Sequence, residues 1–297
     1  MPVTLFAHQV PAMGLKFSRP KWFDGTALCI GSMVPDLAYS VSGYLHVDTH
    51  EWDGLWRLDV PLAIVITIII RWSTANVAAA HLPDLGGFRL WSWRVIHRRQ
   101  PAWWVTLTSC ALGLFTHVFM DSFTHPGRHA ARWLGYDDVV VHLWGRSEPL
   151  TSVLQVFGHT VGSLVGAWML FAIGNRLLLE RWYGAEAVAA VRSFSLSMRG
   201  RVVFWLLVLA GGVIGFIWGL EETTMVGSIE RPLFTGMLGA MVASLLPVCR
   251  PRPTLAAPEP AEWARSVPHA ATDRAHTGSP GRPREESRPT TGLGQPR

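Results

Sequence analysis

Val202 to Leu220, VVFWLLVLAGGVIGFIWGL, is a run of 19 residues with no charged side chain. At 1.5 Å per residue, a helix of this length crosses the hydrocarbon core of a bilayer, about 30 Å thick. Working outward, residues 59–79, 102–121, 152–174 and 231–249 are less pure but adequate spans, and a shorter one at 26–45 is broken by Pro35 and Asp36. Composition agrees: 49% of the 297 residues are hydrophobic and 16% charged, against about 25% charged in ordinary soluble domains. The expected fold is all-α, a polytopic transmembrane helical bundle of five spans plus one irregular or re-entrant N-terminal helix. From Arg250 onward Pro, Arg, Ser, Thr and Gly replace the aliphatic residues, and such a segment cannot bury enough apolar surface to offset its ordering entropy. Two regions follow: a transmembrane helical domain over 1–250 and a disordered, basic cytoplasmic tail over 251–297.

Basic residues orient the bundle, because cytoplasmic loops carry the excess of Lys and Arg. Arg89, Arg94, Arg98 and Arg99 place 81–101 inside, and Arg176, Arg181, Arg192, Arg199 and Arg201 place 175–201 inside. The balanced 122–150 segment and the acidic 221–230 segment, with Glu221, Glu222 and Glu230, then face outward, as does His46 to Arg57. The chain is expected to be a multi-pass protein of the cell (inner or plasma) membrane with its C-terminus in the cytoplasm. No basic stretch followed by a clean apolar run stands at the Met1 end, so the first membrane segment is expected to act as its own address. The formal charge of +5 reflects orientation and attraction to anionic membrane lipids rather than a nucleic-acid surface.

Cys29, Cys110 and Cys249 are far apart in apolar stretches and read as small buried hydrophobes. Trp52, Trp56, Trp72, Trp91, Trp93, Trp103 and Trp104 flank spans, where aromatic rings anchor at the interface. Gly158, Gly162 and Gly166 on one helix, and Gly211, Gly215 and Gly219 on another, repeat every fourth residue and mark close helix packing. Beside the first seam run Gln155, His159 and Ser163, which must face protein or a cavity.

The chemistry lies in GLFTHVFMDSFTHPG, residues 113–127. His117, Asp121 and His125 recur at intervals of four, and four residues advance a helix by about 400°, so they form one stripe. The rise from His117 to His125 is roughly 12 Å on an unbroken helix, too far for one ion to hold both ends. His117 with Asp121 can share a metal, while His125, beside helix-breaking Pro126, either swings inward or serves a second ion. The same residues also fit core histidines with satisfied N–H groups and a capping Asp. Near the start, His8 and Asp36 lie in apolar segments, and His50, Asp53 and Asp59 lie at the outer edge of the next span. Each alone has an ordinary explanation: Asp36 a helix cap, Asp53 a turn with Gly54, Asp59 a helix start before Pro61. Together they supply imidazole and carboxylate, the ligands of zinc, manganese or iron.

His8, Gly31-Ser32-x-x-Pro35-Asp36, Thr49-His50, Asp59-Val60-Pro61-Leu62 and Thr116-His117-x-x-x-Asp121-x-x-Thr124-His125 together resemble the bacterial integral membrane proteins of domain-of-unknown-function family 4184. The resemblance is collinear over about residues 2–175 and takes in the Gln155 region. More distantly, the two central elements are similar to inner-membrane metal-dependent hydrolases and, through the order of His and Asp, to zinc-dependent phospholipase C and its related nucleases. The resemblance implies a polar set of His8, Asp36, His50, His117, Asp121 and His125 as metal ligands, with Asp36 and Asp121 also in catalytic roles. Glu51 stands after His50 where members of the family tend to have a small polar residue.

The function expected is hydrolysis of a phosphoester or lipid-like substrate by a membrane-bound enzyme with a divalent metal, zinc before manganese or iron. Two other classes remain open: a non-catalytic membrane protein that binds, senses or transports a divalent metal or protons, and a structural helical bundle. For the orientation, a cysteine placed at Ser279 should stay unlabelled by an impermeant maleimide in intact cells and react once the membrane is opened. Labelling from outside would reverse the arginine-based assignment.

Overall fold

A computed structural model of the chain describes residues 4–41, 44, 49, 50, 52–98, 100–143, 145–221 and 225–254, all within one compact unit, Met1–Ala257. His46, Glu51, Glu222 and residues 255–297, on which some of the expectations above rest, lie outside the described residues. The rest is mostly helical. Among the described residues, four helices are long and apolar enough to cross a membrane: Leu55–His81, Trp103–Thr124, Leu150–Asn175 and Met198–Gly219. The span expected over 231–249 is part of Met225–Leu245, which carries Glu230, Arg231 and Pro232 in its first half and is not among the four.

Residues 26–45 do not form one helix. Asp24 caps Gly25–Gly31 by accepting from the backbone N–H groups of Thr26 (3.1 Å) and Ala27 (3.3 Å), and the chain then turns at Ser32 and Met33 before Val34–Leu37. Gln9–Ser18 precedes it. Ten residues rise about 15 Å and seven about 10 Å, so Gln9–Ser18 and Gly25–Gly31 make a hairpin of about half the membrane's depth. It leads away from His8 and returns toward Asp36.

Glycine brings this hairpin against Trp103–Thr124. A side chain at Gly31 would run into the carbonyl of Cys110, and one at Gly113 into the carbonyl of Leu28. Around that crossing Ala27, Ile30, Val34, Ala63, Cys110 and Leu114 form a buried cluster. The two seams read from the sequence also appear: Gly162 and Gly166 lie on Ala7 and Phe6, and Gly211, Gly215 and Gly219 lie on Thr235, Arg231 and Ser228 of Met225–Leu245. Gly158 has open space beside it.

Leu55–His81 contains two wide π turns, Leu55–Asp59 and Ile70–Thr74. The second holds Arg71, which is buried and pairs with Asp24 while its Nη1 donates to Thr106 Oγ1 (3.0 Å). The backbone N–H of Asp24 donates to Ser109 Oγ (3.0 Å). One ion pair thus joins the hairpin to two membrane helices.

Several expectations change. The 81–101 connection is packed: Leu90–Arg98 is a 3-10 helix whose Arg94 is buried, donating to Asn76 Oδ1 (3.0 Å) and to the Val191 carbonyl. Trp91 and Trp93 join a buried cluster with Val95 and Ile173, whereas Trp56, Trp72, Trp103 and Trp104 are exposed. The fold is not purely helical, since Val140–Leu143 pairs with Arg146–Pro149 and Phe194–Ser195 with Arg252–Pro253. Cys110 and Cys249 are buried and Cys29 half-buried, all as free thiols.

Removing one member of a buried ion pair leaves an uncompensated charge and costs about 3–5 kcal/mol, whereas replacing both can be nearly neutral. Asp24→Leu or Arg71→Met alone should sharply lower thermal stability in detergent, and the double variant should recover most of it. Additive losses would show that the pair is not the tie.

Candidate metal centre

Trp103–Thr124 supplies the axis of the site. Its stripe of Gly113, His117 and Asp121 is buried on one face, the glycine allowing the hairpin to approach and the next two positions carrying the polar groups. His117, fully buried, donates from Nδ1 to the carbonyl of Ser32 at 2.8 Å. A carbonyl only accepts, so Nδ1 carries the hydrogen. His117 Nε2 then faces Asp36 Oδ1 at 3.4 Å and Asp121 Oδ2 at 3.3 Å.

His50 is oriented by the same logic. Thr49 Oγ1 donates its single hydrogen to the carbonyl of Pro35 (2.9 Å), so it accepts from His50 Nδ1 at 3.3 Å. His50 Nε2 is thereby directed at Asp121 Oδ2, 3.4 Å away. Imidazoles that hold metal commonly give their other N–H to a carbonyl or hydroxyl in this way.

The other carboxylate oxygen of Asp121 meets a second pair. Oδ1 is 3.5 Å from His8 Nε2 and 3.5 Å from His125 Nδ1. The long helix ends at Thr124, and His125 takes an extended conformation, so it turns inward instead of continuing the stripe. The other five of the six residues singled out by the family resemblance therefore gather around the Asp121 carboxylate. His8 reaches it because the half-depth hairpin has its open end there, although Lys16, Arg19 and Lys21, which follow His8 in the sequence, suggest that the segment touches the cytoplasmic side.

Asp36, His50, His117 and Asp121 are all buried and offer one ligand atom each within 4.8 Å of one another. Asp36 Oδ2, His117 Nε2 and Asp121 Oδ1 have no hydrogen-bond partner, and the N···O distances of 3.3 to 3.4 Å exceed the 2.7–2.9 Å of charge-assisted hydrogen bonds. Donors placed tetrahedrally about 2.1 Å from a zinc ion lie about 3.4 Å from each other. The donor set and its spacing fit a divalent ion.

Other polar groups stand close by. The ring of His159 packs edge-on to that of His8 (5.4 Å between centroids), with its Nε2 buried and unpartnered. Gln155, on the same helix, meets His125 Nε2 at 2.8 Å. Asp59, read from sequence as an ordinary helix start, is 0% exposed with neither carboxylate oxygen hydrogen-bonded, and interacts electrostatically with His117. Its position at the end of a π turn is what a local cap signature conceals. Asp53 does not belong: it is exposed and pairs with Arg57 at 2.9 Å. A separate, mainly apolar cavity of about 390 Å³, lined by Val10, Met13, Ile70, Met169 and Ile173 among others, does not include the six polar residues.

No curated protein and no solved structure matches the chain. The model of one family, described as a domain of unknown function (DUF4184), matches residues 1–249 and so reaches well beyond the stretch in which the sequence resemblance is visible. The match spans most of the chain and contains all six candidate site residues, and the chain belongs to the DUF4184 family.

Proposed function

We propose that this protein is a membrane-embedded, metal-dependent hydrolase of a phosphoester or lipid-like substrate. The observation that carries the reading is the cluster of four buried donors, two carboxylates and two imidazoles, whose atoms lie within 4.8 Å of one another. Asp36 Oδ1, His50 Nε2, His117 Nε2 and Asp121 Oδ2 would hold the ion, and nitrogen with oxygen donors in this arrangement favours zinc. When bound, such an ion acidifies a coordinated water and polarises a phosphoryl oxygen.

The remaining steps belong to the chain. Ser32 and Thr49 keep His117 and His50 in the state that presents Nε2 inward. Asp36 Oδ2, buried without a partner, accepts the proton that the attacking water loses, and returns it to the leaving oxygen. Access lies at the His125 edge, since that side chain is 30% exposed while those of His8, His50, His117 and Asp121 are 6% or less. The buried centre lies among membrane-length helices, with His117 and Asp121 on Trp103–Thr124, Asp59 near the start of Leu55–His81 and His159 on Leu150–Asn175, which favours a substrate that partitions into the bilayer. No Ser or Cys nucleophile is called for.

Asp121→Asn is the decisive variant. It keeps size and most hydrogen bonding but removes the charge at the middle of the cluster, so divalent metal in the purified protein should fall to a small fraction of the wild-type amount, and release of phosphate from phosphodiester lipids should fall with it. The variant should still fold. Elemental analysis alongside thermal stability in detergent checks this; full metal content in the Asn variant, or a wild type that takes up no zinc, would falsify the reading.

A further inference from the structure

The four-donor site leaves His8, His125 and one oxygen of Asp121 unused. That oxygen, Oδ1, has no hydrogen-bond partner and lies 3.5 Å from both His8 Nε2 and His125 Nδ1. Each is slightly longer than the 3.3 to 3.4 Å contacts of the first site. Asp121 therefore presents each oxygen to a different pair of imidazoles: Oδ2 to His50 and His117, Oδ1 to His8 and His125. A carboxylate so placed can bridge two cations.

We infer that the protein has a second divalent-cation site, held by His8, His125 and Asp121 Oδ1, with Asp121 bridging it to the first. The proposal rests on the reading of Asp36, His50, His117 and Asp121 as a metal site. His159 lies beside His8 with its Nε2 buried and unpartnered, a further donor on the same side.

Charge supports a second ion independently. Asp36, Asp59 and Asp121 are buried, and among the described ion pairs none of them has a Lys or Arg partner. One divalent ion offsets two carboxylates, and the third must then either stay protonated or meet a second cation. Two ions offset all three and leave one positive charge for a hydroxide or a substrate phosphate. Phosphodiester chemistry uses such a pair to stabilise both the attacking and the leaving oxygen.

Gln155 completes the arrangement as a positioning residue. Its amide Nε2 lies 2.8 Å from His125 Nε2; turned over about the last side-chain bond, the amide presents its oxygen there instead and accepts from Nε2–H. His125 Nδ1 then keeps its lone pair toward Asp121 Oδ1. A leucine at position 155 removes that orientation without removing a ligand, so the outer ion should bind about 10–100-fold more weakly while the inner ion is retained.

The test uses full-length protein in detergent, stripped with a chelator and titrated with zinc, and in parallel with manganese for electron paramagnetic resonance. Wild type should take up about two ions per chain and give the spin-coupled spectrum of a bridged manganese pair. His8→Ala and His125→Ala should each take up about one ion per chain and show isolated manganese, with thermal stability confirming that they are folded. Should either fail to fold, Gln155→Leu carries the same test through weakened uptake of the second ion and loss of the coupled spectrum. Uptake of a single ion by wild type, with an uncoupled spectrum, would overturn the second site and leave the four-donor reading standing. No uptake at all would remove both.

Discussion

The close crossing of Gly31 and Gly113 is the contact on which the site depends. Because each glycine lies against a backbone carbonyl of the other helix, the hairpin helix Gly25–Gly31 sits at backbone distance from Trp103–Thr124. At that distance the next turn of one helix offers the Ser32 carbonyl to the next turn of the other, where His117 receives it. Asp36 follows within one short helix. A methyl group at either glycine would force the helices apart and misdirect His117, although neither glycine touches a ligand atom.

The second constraint is electrostatic. Carboxylates in an apolar interior need compensation, and the fold provides it in two different ways. Asp24 receives a guanidinium, that of Arg71, and becomes structural. Asp36 and Asp121 receive imidazoles at distances too long for good hydrogen bonds, which keeps their oxygens available. The same residue type thus serves as a rivet at one end of the hairpin and as part of the candidate metal cluster at the other.

Much of this was legible in the sequence because a membrane makes polar residues conspicuous. Uncharged runs such as Val202–Leu220 located long helices, and His117, Asp121, His8 and Asp36 stood out from apolar neighbours. What stayed hidden depends on tertiary packing. Asp59 has the local signature of an ordinary helix start, and only its burial distinguishes it. Gly113 lies four residues before His117 on the same polar stripe, a cue that was available but is outweighed by the more regular glycine seams elsewhere. Arg94 counts in the sequence as one more loop charge, and only the structure shows that it is buried and donates to the Val191 carbonyl. The break between Gly25–Gly31 and Val34–Leu37 could be located from Pro35, but not the return of the chain to His8.

The π turns of Leu55–His81 separate two properties of that helix which are normally bound together. A wide turn takes up one residue more than an α turn needs, and Asp59 and Arg71 both lie in such turns. Loss of a single residue there would leave the helix as apolar and nearly as long as before, while rotating everything beyond it by about 100°. Length drift in this helix would therefore pass unnoticed by the membrane and be registered at once by the charges: insertion into the bilayer is tolerant of such an event, and the polar interior is not.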